Sequence, residues 1–270
     1  AVDGDGISAY EATGVQWYKR HLFASFCAGH AGVDLHVLTK DGAAKSAWEL
    51  PWQTRMHAEP PAASSYAPPV HERALPIECV AGEVYIFHLT FFERPRYRHA
   101  RMVATAYDIM PLAIPDAFPA RLVERIERVA PIWQEHCARI VCISEQTRND
   151  LARLLNIPHE KTLCIPPGKH PHFHPRGHDP VQHVRQAYAL NDPYFLAVGS
   201  IAPHKNLDTL VRAFVRAKER ARFPHKLALV GRPAWLTGRV LDAIAPSAAR
   251  GDIVFTGYVP WLDLPALYAG

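Results

Sequence analysis

Apolar positions alternate along the chain between two rhythms. Short unbroken apolar runs, often β-branched, read as buried strands, and stretches with apolar residues every three or four positions read as amphipathic helices. Over residues 14–28, Val15, Tyr18, Leu22, Phe23 and Phe26 share one helical face, and Gly29 supplies a stop. Strands are expected at 33–38, 84–89, 102–107 and 139–143. The stretch 121–137 carries Leu122, Ile126, Val129 and Trp133 on a helical stripe, with Pro131 as an expected kink. Ser144 stands where a helix N-cap belongs, with Leu151, Leu154 and Leu155 on the inner face of the helix that follows. A strand at 162–165 then leads into Pro166-Pro167-Gly168.

The same alternation resumes near Asp192. A strand at 194–198 precedes a helix at 206–220, whose stripe holds Leu207, Leu210, Val211, Phe214 and Val215. Strands at 227–230 and 253–256 flank a helix at 236–245. Two stretches break the rhythm. Residues 41–78 are rich in proline and alanine and read as an irregular excursion. Residues 169–191 open on a histidine- and proline-rich tract and read as an inter-domain linker. Strands alternating with helices predict an α/β fold of two doubly wound parallel sheets in tandem, over 1–168 and 192–270.

Composition narrows the functional classes. A chain of 270 residues that is 49% hydrophobic and 21% charged excludes collagen-like, disordered and coiled-coil readings. A formal charge of +4 is too small to argue for nucleic acid as a partner. Five scattered cysteines without a C-x-x-C read as reduced thiols, which favours the cytoplasm. No apolar run reaches the length of a membrane-spanning helix.

The strongest chemical signal is V-G-S-I-A-P-H-K-N at 198–206, which joins a buried strand to an amphipathic helix. A glycine at a strand end lets a ligand approach the backbone, and a helix start with Lys205 beside it suits a phosphate. On spacing alone, a plain strand-to-helix turn with a solvated lysine reads equally well, since neither G-x-x-x-x-G-K-[ST] nor G-x-G-x-x-G is present.

The segment V-G-S-I-A-P-H-K-N-L-D-T-L-V-R-A-F resembles the start of the donor-binding domain of retaining glycosyltransferases of family 4, which have the GT-B fold. Further stretches match in order: A-T-G-V-Q-W-Y at 12–18, T-A-Y-D-I-M-P-L at 105–112, V-C-I-S-E-Q-T-R-N-D-L at 141–151, I-P-P-G at 165–168, L-V-G-R at 229–232 and F-T-G-Y-V-P at 255–260. The resemblance is to the bacterial polysaccharide and lipopolysaccharide type. It implies a hexosyltransferase, with mannose among the sugars, moving a residue from a nucleoside-diphosphate donor to a glycan or lipid-linked glycan with retention.

By the same resemblance, Gly199, Ser200, His204 and Lys205 face the donor diphosphate, with His204 standing where the family has arginine. Lys205 neutralises the departing diphosphate, and Gly257, Tyr258 and Val259 lie near the base. Gly14, Tyr107 and Asp108 line the acceptor side, with Tyr107 where many relatives have histidine. No metal or other cofactor is implied. The family's donor domain runs on past Gly270, so the second domain is expected to be incomplete here.

Competing readings stay open beside these. Without the resemblance, Asp108 is a carboxylate capping a turn before Pro111, and Gly14 marks a helix boundary. The histidines at 170, 172, 174 and 178 lie in a proline-broken tract with no fixed scaffold for a metal. Asp3-Gly4-Asp5 matches a D-x-D string but is set aside because no strand is expected before it. Four arginines and several aromatics in 91–101 could meet an anionic membrane surface, which would place the protein peripherally on the inner membrane face, or could form a solvated loop. A non-catalytic module binding nucleotide sugar or glycan is the alternative to an enzyme. A sugar-nucleotide epimerase would need acid and base carboxylates that the sequence does not present.

Overall fold

The computed structural model describes residues 2–3, 18, 22, 35–39, 70–74, 86–89, 101–235, 238–244 and 248–270. The chain divides into two units, one formed by residues 1–113 and 121–168, the other by 114–120 and 169–270. Each is an α/β unit with a parallel sheet.

In unit 1 the strands are β1 (Val2–Asp3), β2 (Leu35–Thr39), β3 (Val70–Ala74), β4 (Ile86–Leu89), β5 (Arg101–Ala106), β6 (Cys137–Cys142) and β7 (Thr162–Cys164). Their order is β3-β2-β1-β4-β5-β6-β7, all parallel. The order reverses between β1 and β4, and such a switch point opens a crevice at the C-terminal strand ends. Two expectations are corrected at this sheet. The excursion 41–78 contributes β3, because Val70–Ala74 gains its partners from β2 and not from a local pattern. Asp3 ends a strand at the switch point instead of lying at a strandless terminus.

Helix α1 (Ala120–His136) runs through Pro131 without ending there and lays Ile126, Val129, Ala130 and Trp133 on the sheet. Trp133, Ala104 and Ala106 are fully buried, so two small strand residues admit the large indole. Helix α2 (Glu145–Leu155) starts as expected: the Thr147 N–H donates to Ser144 Oγ at 3.1 Å. It closes on Asn156 at φ 53°, with the Ile157 N–H donating to Leu151 O at 3.2 Å.

Unit 2 holds a three-stranded sheet in the order β10-β9-β8, built from β8 (Tyr194–Val198), β9 (Lys226–Val230) and β10 (Ile253–Gly257). Its helices are α3 (His178–Ala187), α4 (Leu207–Arg220), α5 (Gly238–Ile244) and α6 (Leu264–Ala269). The central strand β9 shows why its sequence is a continuous apolar run. Leu227 and Leu229 pack with Val211 and Phe214 of α4 and with Val240 and Ile244 of α5. Ala228 and Val230 face the other way, into Val181 and Val184 of α3 and Ala266 and Leu267 of α6. A parallel strand covered by helices on both faces has no polar side to display.

The linker reading of 169–191 is corrected. Helix α3 lies inside it and supplies Val181 and Val184 to the core, with Leu190 fully buried beyond the helix. The histidine tract before α3 is packed as well: the His172 ring stacks on Trp261 at 5.7 Å, and Phe173 meets that indole edge-on at 4.7 Å. Apolar content in the tract is low because aromatic and imidazole rings supply the contact. Among the described residues no helix is long and apolar enough to cross a membrane.

Candidate functional site

The C-terminal ends of β8, β9 and β10 form one rim, and each carries a glycine with positive φ: Gly199 at 153°, Gly231 at 148° and Gly257 at 70°. Hydrogen bonds run across the row, from Gly199 N–H to Val230 O at 2.8 Å and from Gly231 N–H to Gly257 O at 2.9 Å. The reasons for glycine differ along it. A Cβ on Gly231 would stand 2.0 Å from the carbonyl oxygen of Gly199, so the two backbones touch where no side chain fits. At Gly257 nothing lies within 4 Å, and the left-handed backbone alone asks for glycine. The result is a sheet edge stripped of side chains, which a ligand can approach closely.

Past the first glycine, Ser200 is exposed, and its N–H and hydroxyl make no hydrogen bond among the described residues. The chain then forms a 3-10 turn at Pro203–Lys205 and enters α4 through Asn206 in the left-handed region at φ 52°. This turn folds Lys205 back over Gly199. Its Cε and Cδ lie 3.7 and 4.0 Å from the position a Gly199 Cβ would take. The Lys205 side chain is exposed, and no ion pair engages its ammonium among the described residues. Gly199, Ser200 and Lys205 are thus brought together.

His204 is placed differently from its neighbour. Its ring stacks on Phe118, at 4.9 Å and 19°, and on Trp235, at 5.4 Å and 21°, and these two rings also meet each other at 5.8 Å, so the three form one cluster. The Trp235 indole N–H donates to Ala117 O at 2.8 Å, which fixes one ring of the cluster. His204 anchors the turn that carries Lys205, and the short segment 114–120 is built into unit 2 through this stack.

The start of α4 is also less open than the spacing implied. The Asp208 carboxylate is held below the usual range, first by the hydrogen bond from Arg212 (2.8 Å) and then by backbone N–H groups, including that of Thr209. A carboxylate therefore already occupies first-turn amides that could otherwise meet a phosphate. At the first strand end of the rim, the exposed polar donors are those of Ser200 and Lys205.

On β10, Tyr258 is half-buried at the rim, and the Arg232 guanidinium lies over its ring at 5.2 Å. Val259 is 4% exposed and packs in the core, so it can reach a ligand only through its backbone.

In unit 1 the predicted residues follow β5. Tyr107 is 8% exposed, and its ring meets Tyr18 edge-on at 5.2 Å. Its carbonyl accepts from the Thr147 hydroxyl at 2.9 Å. Asp108 is half-buried and accepts the Met110 N–H at 3.1 Å, a turn cap in fact as well as by position. The Tyr107 side chain is thus buried beside the more exposed Asp108. Gly14 and the arginine-rich stretch 91–101 lie outside the described residues.

Sequence reasoning missed Gly231, Arg232, Phe118 and Trp235 as parts of the site. L-V-G-R was legible as a strand and its stop, but the Gly231–Gly199 contact is a tertiary one. Phe118 and Trp235 stand far from His204 in the sequence and carry no local signal.

Solved structures of glycosyltransferases share this architecture. WaaG, a glycosyltransferase of lipopolysaccharide biosynthesis, matches with TM-score 0.59 and 15% identity over 96% of this chain and 70% of that one. Anabaena HepE, solved with UDP, matches with TM-score 0.58 and 12% identity over 98% of this chain and 70% of that one. At such identities the likeness shows the fold alone: α/β, GT-B-like, with two Rossmann-like units.

In sequence, the chain is similar to O-antigen chain mannosyltransferase B of Escherichia coli, 28% identical over 186 residues, covering 68% of this chain and 49% of that protein. It also matches the serotype-specific mannosyltransferase WbdA of Escherichia coli, 31% identical over 90 residues, covering 33% of this chain and 11% of that protein. The chain therefore spans about half the length of the first relative and a smaller share of the second. No family model matches it.

Proposed function

We propose that the chain is part of a retaining glycosyltransferase that moves a sugar, most economically mannose, from a nucleoside-diphosphate donor to a glycan or lipid-linked glycan during bacterial surface polysaccharide synthesis. The observation that carries this reading is the glycine rim of unit 2 with Lys205 folded over Gly199. The mannosyltransferase names of both relatives favour the sugar and the pathway.

In this reading unit 2 holds the donor. The diphosphate lies over Gly199, Ser200 donates to it, and the Lys205 ammonium meets the charge that develops as the sugar leaves. A fixed cation aimed at a developing phosphate charge lowers the barrier without any reorganisation. The base lies toward Gly257 and Tyr258, and His204 acts through its stack by holding the Lys205 turn. Unit 1 takes the acceptor near Gly14, Tyr107 and Asp108. Because Lys205 meets the phosphate charge, no divalent metal is needed, and EDTA leaves the rate unchanged. The protein works in the cytoplasm, at the inner membrane face where a lipid-linked acceptor is presented.

The test is a transfer assay with nucleoside-diphosphate mannose and glucose donors and a polysaccharide acceptor, comparing the gene product with its Lys205→Ala variant. Transfer that is lost with Lys205 supports the reading. Donor binding through Lys205 without transfer or hydrolysis turns it into that of a binding module. Absence of both overturns it.

A further inference from the structure

We propose that Trp235 is a positioning residue for Lys205, acting through the His204 ring; the proposal rests on the nucleotide reading of unit 2. The turn that carries Lys205 is weak by itself. It is a single 3-10 turn over Pro203–Lys205, closed by the Lys205 N–H to Ala202 O at 3.0 Å and the Asn206 N–H to Pro203 O at 2.9 Å. Hydrogen-bond geometry in 3-10 turns is poor, so a turn this short keeps its shape through the contacts of its side chains. Lys205 is exposed, while the middle residue, His204, lays its ring on Phe118 at 4.9 Å and on Trp235 at 5.4 Å.

Trp235 is the anchored member of this ring cluster. Its indole N–H donates to Ala117 O at 2.8 Å, which ties it to segment 114–120. Its backbone continues the loop after β9, and that loop runs beside the residues just before the turn. The Ala234 N–H donates to Ile201 O at 3.1 Å, and Ile201 forms a parallel bridge with Pro233. Trp235 thus joins the loop after β9, segment 114–120 and the turn at 203–205. Phe118, 9% exposed, closes the cluster against both other rings.

Holding the turn matters because of what it carries. A lysine is a point charge on a flexible stem, effective only where that stem is aimed. The Lys205 Cδ and Cε pass 4.0 and 3.7 Å from the place a Gly199 Cβ would take. A small rotation of the turn swings the ammonium at the stem's end through a wider arc, and a misplacement of about 1 Å is costly at a charged site. Trp235 itself touches no ligand here, since its one polar hydrogen is already donated to Ala117.

Isothermal titration with a nucleoside diphosphate, inorganic pyrophosphate and the bare nucleoside, over a double-mutant cycle of Trp235→Ala and Lys205→Ala, tests this. Trp235→Ala is expected to weaken nucleoside diphosphate and pyrophosphate about fivefold, to leave the nucleoside unchanged, and to add nothing to Lys205→Ala. Trp235→Phe, which keeps a ring without the N–H, is expected to recover part of the loss. Thermal midpoints check the fold, and if Trp235→Ala unfolds, Trp235→Phe and Phe118→Leu carry the same cycle. Losses that add in the double variant, a parallel loss of nucleoside, or wild-type binding by the folded Trp235 variants overturn the proposal, while a loss in Lys205→Ala keeps the nucleotide reading. The methyl signal of reductively methylated Lys205 reads the placement without ligand and is expected to move in Trp235→Ala. If it moves while wild type binds neither nucleoside diphosphate nor pyrophosphate, the placement stands and the nucleotide reading falls. If it stays still and nothing binds, both fall.

Discussion

The strand ends described in the two sheets differ in character. In unit 1 the ends of β5 and β6 close on themselves: Tyr107 is buried against Tyr18, Asp108 caps the Met110 N–H, and Ser144 caps Thr147. The Thr147 hydroxyl even ties the cap of α2 to the carbonyl of Tyr107. In unit 2 the equivalent edge is left bare by Gly199, Gly231 and Gly257, and the polar groups around it point outward. Both edges belong to the same kind of parallel sheet, where ligands bind at C-terminal strand ends. The difference teaches that the fold locates a rim, while the residues on it decide what chemistry that rim can meet.

That contrast can be attacked from its strongest side first. Gly231→Ala drives a methyl into the Gly199 carbonyl, 2.0 Å away, so one strand end must move. The expected loss is about 3 kcal/mol of unfolding free energy in urea, as for severe overpacking. Gly257→Ala, with nothing within 4 Å, should lose only about 1 kcal/mol, from backbone conformation. Equal losses at the two positions would erase the distinction between contact and conformation.

Lys205→Ala should next weaken nucleoside diphosphate about tenfold in a calorimetric titration, roughly 1.4 kcal/mol, while unfolding stability stays within about 0.5 kcal/mol. Ser144→Ala is its mirror in unit 1. Loss of the cap to Thr147 should lower stability by about 1 kcal/mol and leave nucleotide affinity unchanged.

The smallest effect concerns pH. His172 and His170 lie below the usual histidine range, both chiefly through burial, with Arg176 adding to His172 and Lys169 to His170. The folded state therefore keeps them neutral, whereas the unfolded chain takes up protons from about pH 6.5 downward. The stability they contribute is fully present above that value and is lost as pH falls through their lower folded values. Urea midpoints at pH 7.5 and 5.5 should show this decline, and His172→Phe should reduce it.

Much of the fold was legible in the sequence because its signals are local. β8, β9, α4 and β10 follow from apolar runs and stripes, of which Val211, Phe214, Leu227 and Leu229 are buried while Leu210, Phe195 and Phe255 are exposed, and Ser144 announced α2 by side-chain chemistry alone. The failures share a cause. β3 exists through its pairing with β2, α3 buries only Val181 and Val184, and the His172–Trp261 stack joins segments far apart in sequence. At the site, Gly199 and Lys205 were readable from one loop. The Asp208–Arg212 pair at the α4 start is local, at i,i+4 spacing, whereas the ring cluster around His204 and the place of Arg232 over Tyr258 depend on tertiary contacts.

The central claim is that the bare rim of unit 2, and not the closed ends of β5 and β6 in unit 1, receives the donor diphosphate. Amide resonances followed during a nucleoside diphosphate titration test it most directly. The account predicts that Gly199, Ser200, Gly231 and Gly257 shift with a common saturation curve while Asp108 and Ser144 stay still. Shifts centred on Asp108 and Ser144, with the glycine row unmoved, would contradict it.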